Sequence, residues 1–280
     1  FLSAQTFWVP WTGDGRFHFR LRTELTGGWH SMSQGRRAEH FTEDGVNVTV
    51  WETEAPQELI YLVAGPYVVR EKEHDGVQIL TYTYENTPED LCNTYLDAAG
   101  RYLDHYGELI APYPFSKWAM VENWWQTGFG MPGFTLLGDR VIRLPFIVDT
   151  SYGHEILHCW WGNGVYVDYE TGNWCEGLTA YQADYAYKLA EGEEAARDYR
   201  RNALTGYLDF ASGAEDFPLR EFRERSDFGT QAIGYGKSAM VFHMLRQRVG
   251  DARFWETLHR IASQAYWLPT GPDSRAGRHD

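Results

Sequence analysis

His154-Glu155-Ile156-Leu157-His158, followed by Asn173-Trp174-Cys175-Glu176-Gly177-Leu178, is the stretch that decides how this chain reads. On an α-helix, residues four apart stand on one face because a turn takes about 3.6 residues. The two imidazoles therefore face a single metal ion, and Glu155 between them lies beside it as a general base. A zinc centre with two histidine ligands takes a third ligand and keeps a position open for water. Glu176 lies 176 − 158 = 18 positions beyond the second histidine. That is room for one helix to end, a loop to turn and a second helix to bring a carboxylate back. The expected metal set is thus His154, His158 and Glu176 around one Zn2+. A merely charged helix face would explain the first five residues, but not the carboxylate placed behind them.

Peptide hydrolysis fits such a centre, because zinc lowers the pKa of a bound water toward ~7 and polarises a carbonyl. Glu155 would take the proton and hand it to the leaving nitrogen. The spacing His154-Glu155-x-x-His158-x-Trp160-Trp161-Gly162-Asn163, then Glu176-Gly177, resembles the M1 (aminopeptidase N-like) family of gluzincin metallopeptidases. That family usually has one more residue between the second histidine and the glutamate. The shortfall here falls in residues 165–172, which read as connection. The resemblance covers most of the chain. It implies an α+β fold, in which the end of an N-terminal antiparallel β-sheet domain (1–84) precedes a thermolysin-like zinc catalytic domain (85–280). That second domain would combine a small mixed sheet with a helical lobe, and the family's later helical domain would be absent.

Two further segments carry the resemblance. Gly234-Tyr235-Gly236-Lys237-Ser238 is similar to the family's Tyr-x-Lys-Gly, with Ser238 where the family prefers Gly. The match implies that the Tyr235 hydroxyl faces the oxyanion of the tetrahedral intermediate; the alternative is a helix-core aromatic. Gly128-Phe129-Gly130-Met131-Pro132-Gly133-Phe134 stands where the family reads Gly-x-Met-Glu-Asn-Pro-Gly. Met131 runs straight into Pro132, so the glutamate that grips a substrate α-amine is missing, and Glu122 and Glu170 are candidate replacements. Backbone groups of Gly130 and Met131 still suit β-addition of an extended peptide. The implied function is a zinc metallopeptidase, aminopeptidase-like, acting on a peptide substrate. The missing amine anchor keeps an endopeptidase open, and the chemistry also admits an ester or epoxide hydrolase. A catalytically silent scaffold is the third reading, and the complete set of ligands and base argues against it.

Composition narrows the partners. A net charge of −14 and a pI near 5.1 argue against nucleic acid or an anionic membrane surface. No apolar run approaches the ~20 residues of a membrane span. The chain opens Phe1-Leu2-Ser3, without an initiator Met or signal peptide, and is expected to begin inside a longer protein. Compartment and oligomeric state are not indicated. Three cysteines, Cys92, Cys159 and Cys175, cannot make a disulfide framework. Cys159 and Cys175 each adjoin a ligand; two buried free thiols are the expectation, and a pair between them is the alternative.

Alternation predicts strands over 17–22, 46–51 and 79–84, and further strands over 117–122 and 134–137. Thr87-Pro88-Glu89-Asp90 opens a long helix. The zinc helix is expected to start near Thr150-Ser151 and to end by Gly162-Asn163. Later helices are expected over 174–189, from Gly192 onward, over 230–249 and over 252–262, with a loop at 270–274. His105, His243 and His259 are lone helix histidines and weak ligand candidates. Trp124-Trp125 divides between a specificity pocket and core packing, whereas Trp160-Trp161 is expected to pack the zinc helix. Arg220, Arg223 and Arg225 fit a solvated face better than a substrate carboxylate site.

Overall fold

The computed structural model describes residues 1–3, 6–10, 15–213 and 216–265; the expected loop at 270–274 lies outside them. The chain divides into two compact units. Phe1–Asp104 with Tyr113–Val148 make up most of the first, and His105–Pro112 with Asp149–Trp267 make up the second.

The first unit is mainly β. Strands β1 (Arg20–Leu25), β4 (Val46–Glu52) and β3 (Arg36–Glu43) form an antiparallel sheet with β4 in the middle, and β2 (His30–Ser33) pairs with β5 (Leu62–Gly65). The expected strand at 17–22 begins instead at Arg20, because pairing with β4 runs from Arg20↔Glu52 to Leu25↔Asn47. Phe17 makes only an isolated bridge to Gln57. A mixed sheet in the order β6-β7-β8-β10-β9 follows, built from Val68–His74, Val77–Thr83, Lys117–Asn123, Phe134–Gly138 and Gly128–Met131. β7 pairs β8 in parallel and β8 pairs β10 in parallel, which requires long crossovers. The first crossover is α1 (Glu89–Leu109), tied to the unit by Tyr95 Oη donating to the Ile142 carbonyl at 3.0 Å and Tyr102 Oη to that of Val148 at 2.9 Å. β7 and β8, which lie before and after residue 85 in the chain, thus belong to one sheet.

Strands β8 and β10 are buried along their whole length, as parallel strands covered on both faces must be. Met32, Trp51, Leu80, Tyr82, Val121 and Phe134 belong to one apolar core spanning both sheets. Lys117 is buried within it, its ammonium donating to the Ser33 carbonyl at 3.0 Å and the Gly133 carbonyl at 3.2 Å. Between β9 and β10 the chain reverses at Pro132-Gly133, and Gly133 has φ +75°. Proline at the first central position and a positive-φ glycine at the second make a type II turn, which closes the hairpin directly after Met131.

The second unit is helical around a two-stranded ribbon. It contains α2 (Ser151–Leu157), the short strands β11 (Trp161–Gly162) and β12 (Val165–Tyr166), α3 (Cys175–Ala180), α4 (Ala186–Glu191) and α5 (Glu193–Phe210). After these come α6 (Phe228–Gln231), α7 (Ser238–Val249) and α8 (Asp251–Ala265). The helix expected over 174–189 is continuous but carries a π-helical turn at Tyr181–Tyr185, and that expected over 230–249 carries another at Ala232–Lys237. Asp227 starts the latter helix at 228, two residues early, through a reciprocal capping box with Thr230. No helix among the described residues is long and apolar enough to cross a membrane.

Candidate metal centre

The zinc helix is short. Thr150 is its N-cap, without a side-chain cap bond, and the helix stops at Leu157. Bonds of the 310 type from Cys159 N to the Ile156 carbonyl and from Trp160 N to that of Leu157 tighten its end. Gly162, at φ +104°, then turns the chain into β11–β12. Trp160 and Trp161 are fully buried anchors: their indole nitrogens donate to the Ala111 carbonyl at 2.8 Å and to Gln182 Oε1 at 2.6 Å. Tyr152, Ile156 and Leu157 are buried with them, so the helix is held in place from its apolar side.

The three predicted ligands converge. His158 Nε2 lies 3.3 Å and His154 Nε2 3.6 Å from Glu176 Oε2. Four donors at ~2.0–2.1 Å from a tetrahedral zinc stand about 3.3 Å from one another, so these separations are those of a ligand set. Each imidazole is also fixed from behind. His154 Nδ1 is 2.8 Å from Asp184 Oδ2, and His158 Nδ1 is 3.1 Å from the Trp161 carbonyl. With both acceptors on Nδ1, each ring keeps a proton there and directs Nε2 toward Glu176, where that nitrogen becomes a ligand once its own proton is displaced. Glu176 Oε2 is buried and has no hydrogen-bond partner. A carboxylate oxygen pays a large desolvation cost in that state unless a cation joins it. Among the described residues no fourth His, Cys, Asp or Glu joins this cluster. The donor set therefore fits zinc.

Electrostatics agree with the geometry. Burial alone would raise the Glu176 carboxyl, but the two imidazoles hold it well below the usual carboxylate range. Burial works against a charged His154, yet Asp184 carries its pKa up to about 10 in the metal-free protein. Metal must displace that proton, so zinc affinity is expected to tighten as pH rises through the neutral range. Competition with a chelator at pH 6 and pH 8 measures it, with the weaker binding at pH 6. Replacing Asp184 with Asn should weaken zinc binding by ~10–100-fold while leaving all three ligands in place, which the same competition reads.

Glu176 reaches the histidines although the connection is short. Asn173 N donates to the Phe222 carbonyl at 2.8 Å and its side-chain amide to that of Arg223 at 2.9 Å. Gly172, at φ +109°, passes so close that a Cβ would stand 2.7 Å from Arg220 Cα. Gly177 is needed for contact with α7, where a Cβ would lie 2.0 Å from Ser238 Oγ. Ser238 thus seats the segment bearing Tyr235 directly against the helix bearing Glu176.

Tyr235 lies on the π-helical turn at Ala232–Lys237, its ring nearly parallel to that of His154 at 6.3 Å and edge-on to Phe222 at the same distance. Burial first, and the adjacent Glu176 carboxylate second, push its phenol far up, so it remains a proton donor. Glu155 is half-buried between the histidines, and burial raises its carboxyl. It stands outside the ligand set, as a base should.

Other candidates fall elsewhere. Cys92, Cys159 and Cys175 are all buried, and the Cys175 thiol donates to Asn173 Oδ1 at 3.0 Å. Glu122 is fully buried and already accepts from Arg143, Thr87 Oγ1 and the Tyr84 amide. Glu170 lies on an exposed loop outside the cluster. Trp124 and Trp125 are exposed rather than core. His259 Nδ1 meets the Ile110 carbonyl, and His243 packs against Tyr181 and Tyr185. Gly130 and Met131 lie on β9, the edge strand of its sheet. Sequence reasoning did not find Asp184. Its signal was a carboxylate eight positions after Glu176, but the π-helical turn widens the helix there, so helical spacing does not place it.

Two imidazoles, from α2 and its C-cap, and a carboxylate from the following helix form a donor set that could hold one zinc ion. No family model matches the chain. It is 28% identical over 179 residues to aminopeptidase M1-D of Oryza sativa subsp. japonica, covering 58% of this chain and 20% of that one. Aminopeptidase M1-B of the same plant is 26% identical over 237 residues, covering 78% and 27%. The mitochondrial aminopeptidase 2 of Saccharomyces cerevisiae is 27% identical over 155 residues, covering 52% and 16%. Among solved structures, a mutant M1 zinc metallopeptidase from Deinococcus radiodurans superposes with a TM-score of 0.69 at 20% identity, over 91% of this chain and 58% of that one. The chain thus matches about a fifth of the length of its first curated relative and little more than half of that solved chain. The two plant relatives are M1 aminopeptidases, the yeast relative is an aminopeptidase, and the fold is similar to that of an M1 zinc metallopeptidase.

Proposed function

We propose that the chain carries the catalytic centre of a zinc-dependent, aminopeptidase-like metallopeptidase. The observation that carries this reading is the approach of His154 Nε2 and His158 Nε2 to a buried, unpartnered Glu176 oxygen at 3.6 and 3.3 Å. When bound by these three residues, zinc would lower the pKa of a water and polarise the scissile carbonyl. Glu155, beside the ligands but outside them, takes the proton at its carboxylate and returns it to the leaving nitrogen. Burial raises its pKa, which suits a group that must both accept and donate. The Tyr235 hydroxyl donates to the developing oxyanion, and burial keeps its proton in place for that purpose.

Tyr235→Phe should lower kcat by ~10²–10³-fold with little change in KM, since the bond is made chiefly in the transition state. Steady-state kinetics on one peptide tests this; a change confined to KM would contradict it. For the substrate backbone, Gly130 and Met131 offer the edge of β9, whose other side pairs with β10 through Met131↔Phe134 and Gly130↔Thr135.

A panel of free and N-blocked peptides, assayed with zinc analysis and a Glu155→Gln control, tests the function as a whole. Trimming of unblocked peptides alone supports aminopeptidase action. Cleavage of blocked ones favours an endopeptidase, a reading that the absent Glu-Asn of the amine-binding motif keeps in view. Zinc binding without turnover of any peptide would overturn the proposal.

A further inference from the structure

We infer that Arg225 receives a substrate carboxylate, so that this centre favours peptides carrying a carboxylate close to the scissile bond. The inference rests on the peptidase reading above and adds the substrate class to it.

The structure separates three arginines that look alike in sequence. Arg223 is a structural brace, donating to the carbonyls of Arg220 at 2.6 Å, Phe222 at 3.0 Å and Glu170 at 3.3 Å. Arg220 lies near Glu221 at 4.0 Å, and its backbone packs under Gly172. Arg225 differs from both. Its guanidinium lies over the ring of Tyr235, 5.9 Å from the centroid, and the side chain is exposed. Among the described residues it has no ion-pair partner, although the chain holds 39 acidic residues against 25 basic ones. An arginine in such an acidic chain is not unpaired for want of carboxylates.

The placement suits recognition. A guanidinium over an aromatic ring uses its face, while its N–H donors lie in its plane and form the fork that grips a carboxylate bidentately. The ring it lies over belongs to Tyr235, which is itself parallel to the ring of His154. A carboxylate held there lies one side chain away from the metal ligands. The sequence complements this picture, because the glutamate that would hold a substrate α-amine is missing between Met131 and Pro132. A carboxylate can come from the C-terminus of a short peptide or from an Asp or Glu side chain next to the cleaved bond.

Two matched pairs of peptides distinguish these sources. One pair is a short neutral peptide with a C-terminal acid or amide; the other is a longer amidated peptide with Glu or Gln beside the scissile bond. Turnover is measured on the zinc-loaded chain, and binding by calorimetry on its Glu155→Gln form. One acidic member should be favoured about tenfold over its neutral partner, the scale of a charge-assisted hydrogen bond at a partly solvated site. The pair that shows the preference names the source. Arg225→Met should bring that ratio to about one, and Arg225→Lys should retain part of it, with zinc content unchanged in both. If wild type cleaves all four peptides alike, or Arg225→Met keeps the preference, the inference falls and the peptidase reading stands. If the zinc-loaded chain neither binds nor cleaves any of the four, the peptidase reading falls and the inference falls with it.

Discussion

Glu155→Gln is expected to leave one zinc per chain and to remove ~10²–10⁴-fold of the turnover. The amide keeps the size and hydrogen-bonding reach of the carboxylate but cannot accept a proton to carry to the leaving nitrogen. The prediction is sharp because Glu155 is flanked by ligands without being one: the metal cluster consists of His154, His158 and Glu176. If the variant lost zinc together with activity, Glu155 would be a ligand and the assignment of base and ligands would be wrong. Binding of a substrate peptide should persist, so that the loss appears in kcat.

The second large effect concerns the metal itself. Glu176→Ala removes the only carboxylate in the cluster and leaves two imidazoles whose Nδ1 atoms are already committed to Asp184 and the Trp161 carbonyl. Zinc affinity should fall by more than the ~10–100-fold that loss of a group hydrogen-bonded behind a ligand costs. Wild type should also gain thermal stability on titration with zinc, by ~4 kcal/mol when free metal exceeds Kd a thousandfold. The variant should show no such gain at the same concentration. Metal analysis after dialysis and melting curves with and without zinc report the two quantities separately. A variant that retained stoichiometric zinc would show that another group completes the site.

The two effects rest on different parts of the structure. That Glu155 stands between two ligands without being one is decided within α2 and its C-cap, which carry His154 and His158. Loss of zinc in Glu176→Ala depends on α3 being delivered to α2. The delivery is tertiary: Asn173 is bonded to the backbone of Phe222 and Arg223, and Gly177 touches Ser238.

Local regularities in the chain were enough for much of this. Two histidines and an intervening glutamate at helical spacing specify a shared metal face, because that face follows from the helix repeat alone. The parallel core strands at 117–123 and 134–138 were legible because they are covered on both faces and therefore nearly continuous in apolar residues. Tertiary structure decided what depends on partners far along the chain. Pairing with β4 moved the first strand to Arg20–Leu25, and a tight turn after Leu157 ended the zinc helix. Two π-helical turns carry Asp184 and Tyr235 at angles that no 3.6-residue count predicts. Arg225 became distinct from Arg220 and Arg223 only when its neighbours were known. A helix repeat is a property of neighbouring residues, whereas a hydrogen-bond partner, a close approach or an unpaired charge is a property of where distant segments meet.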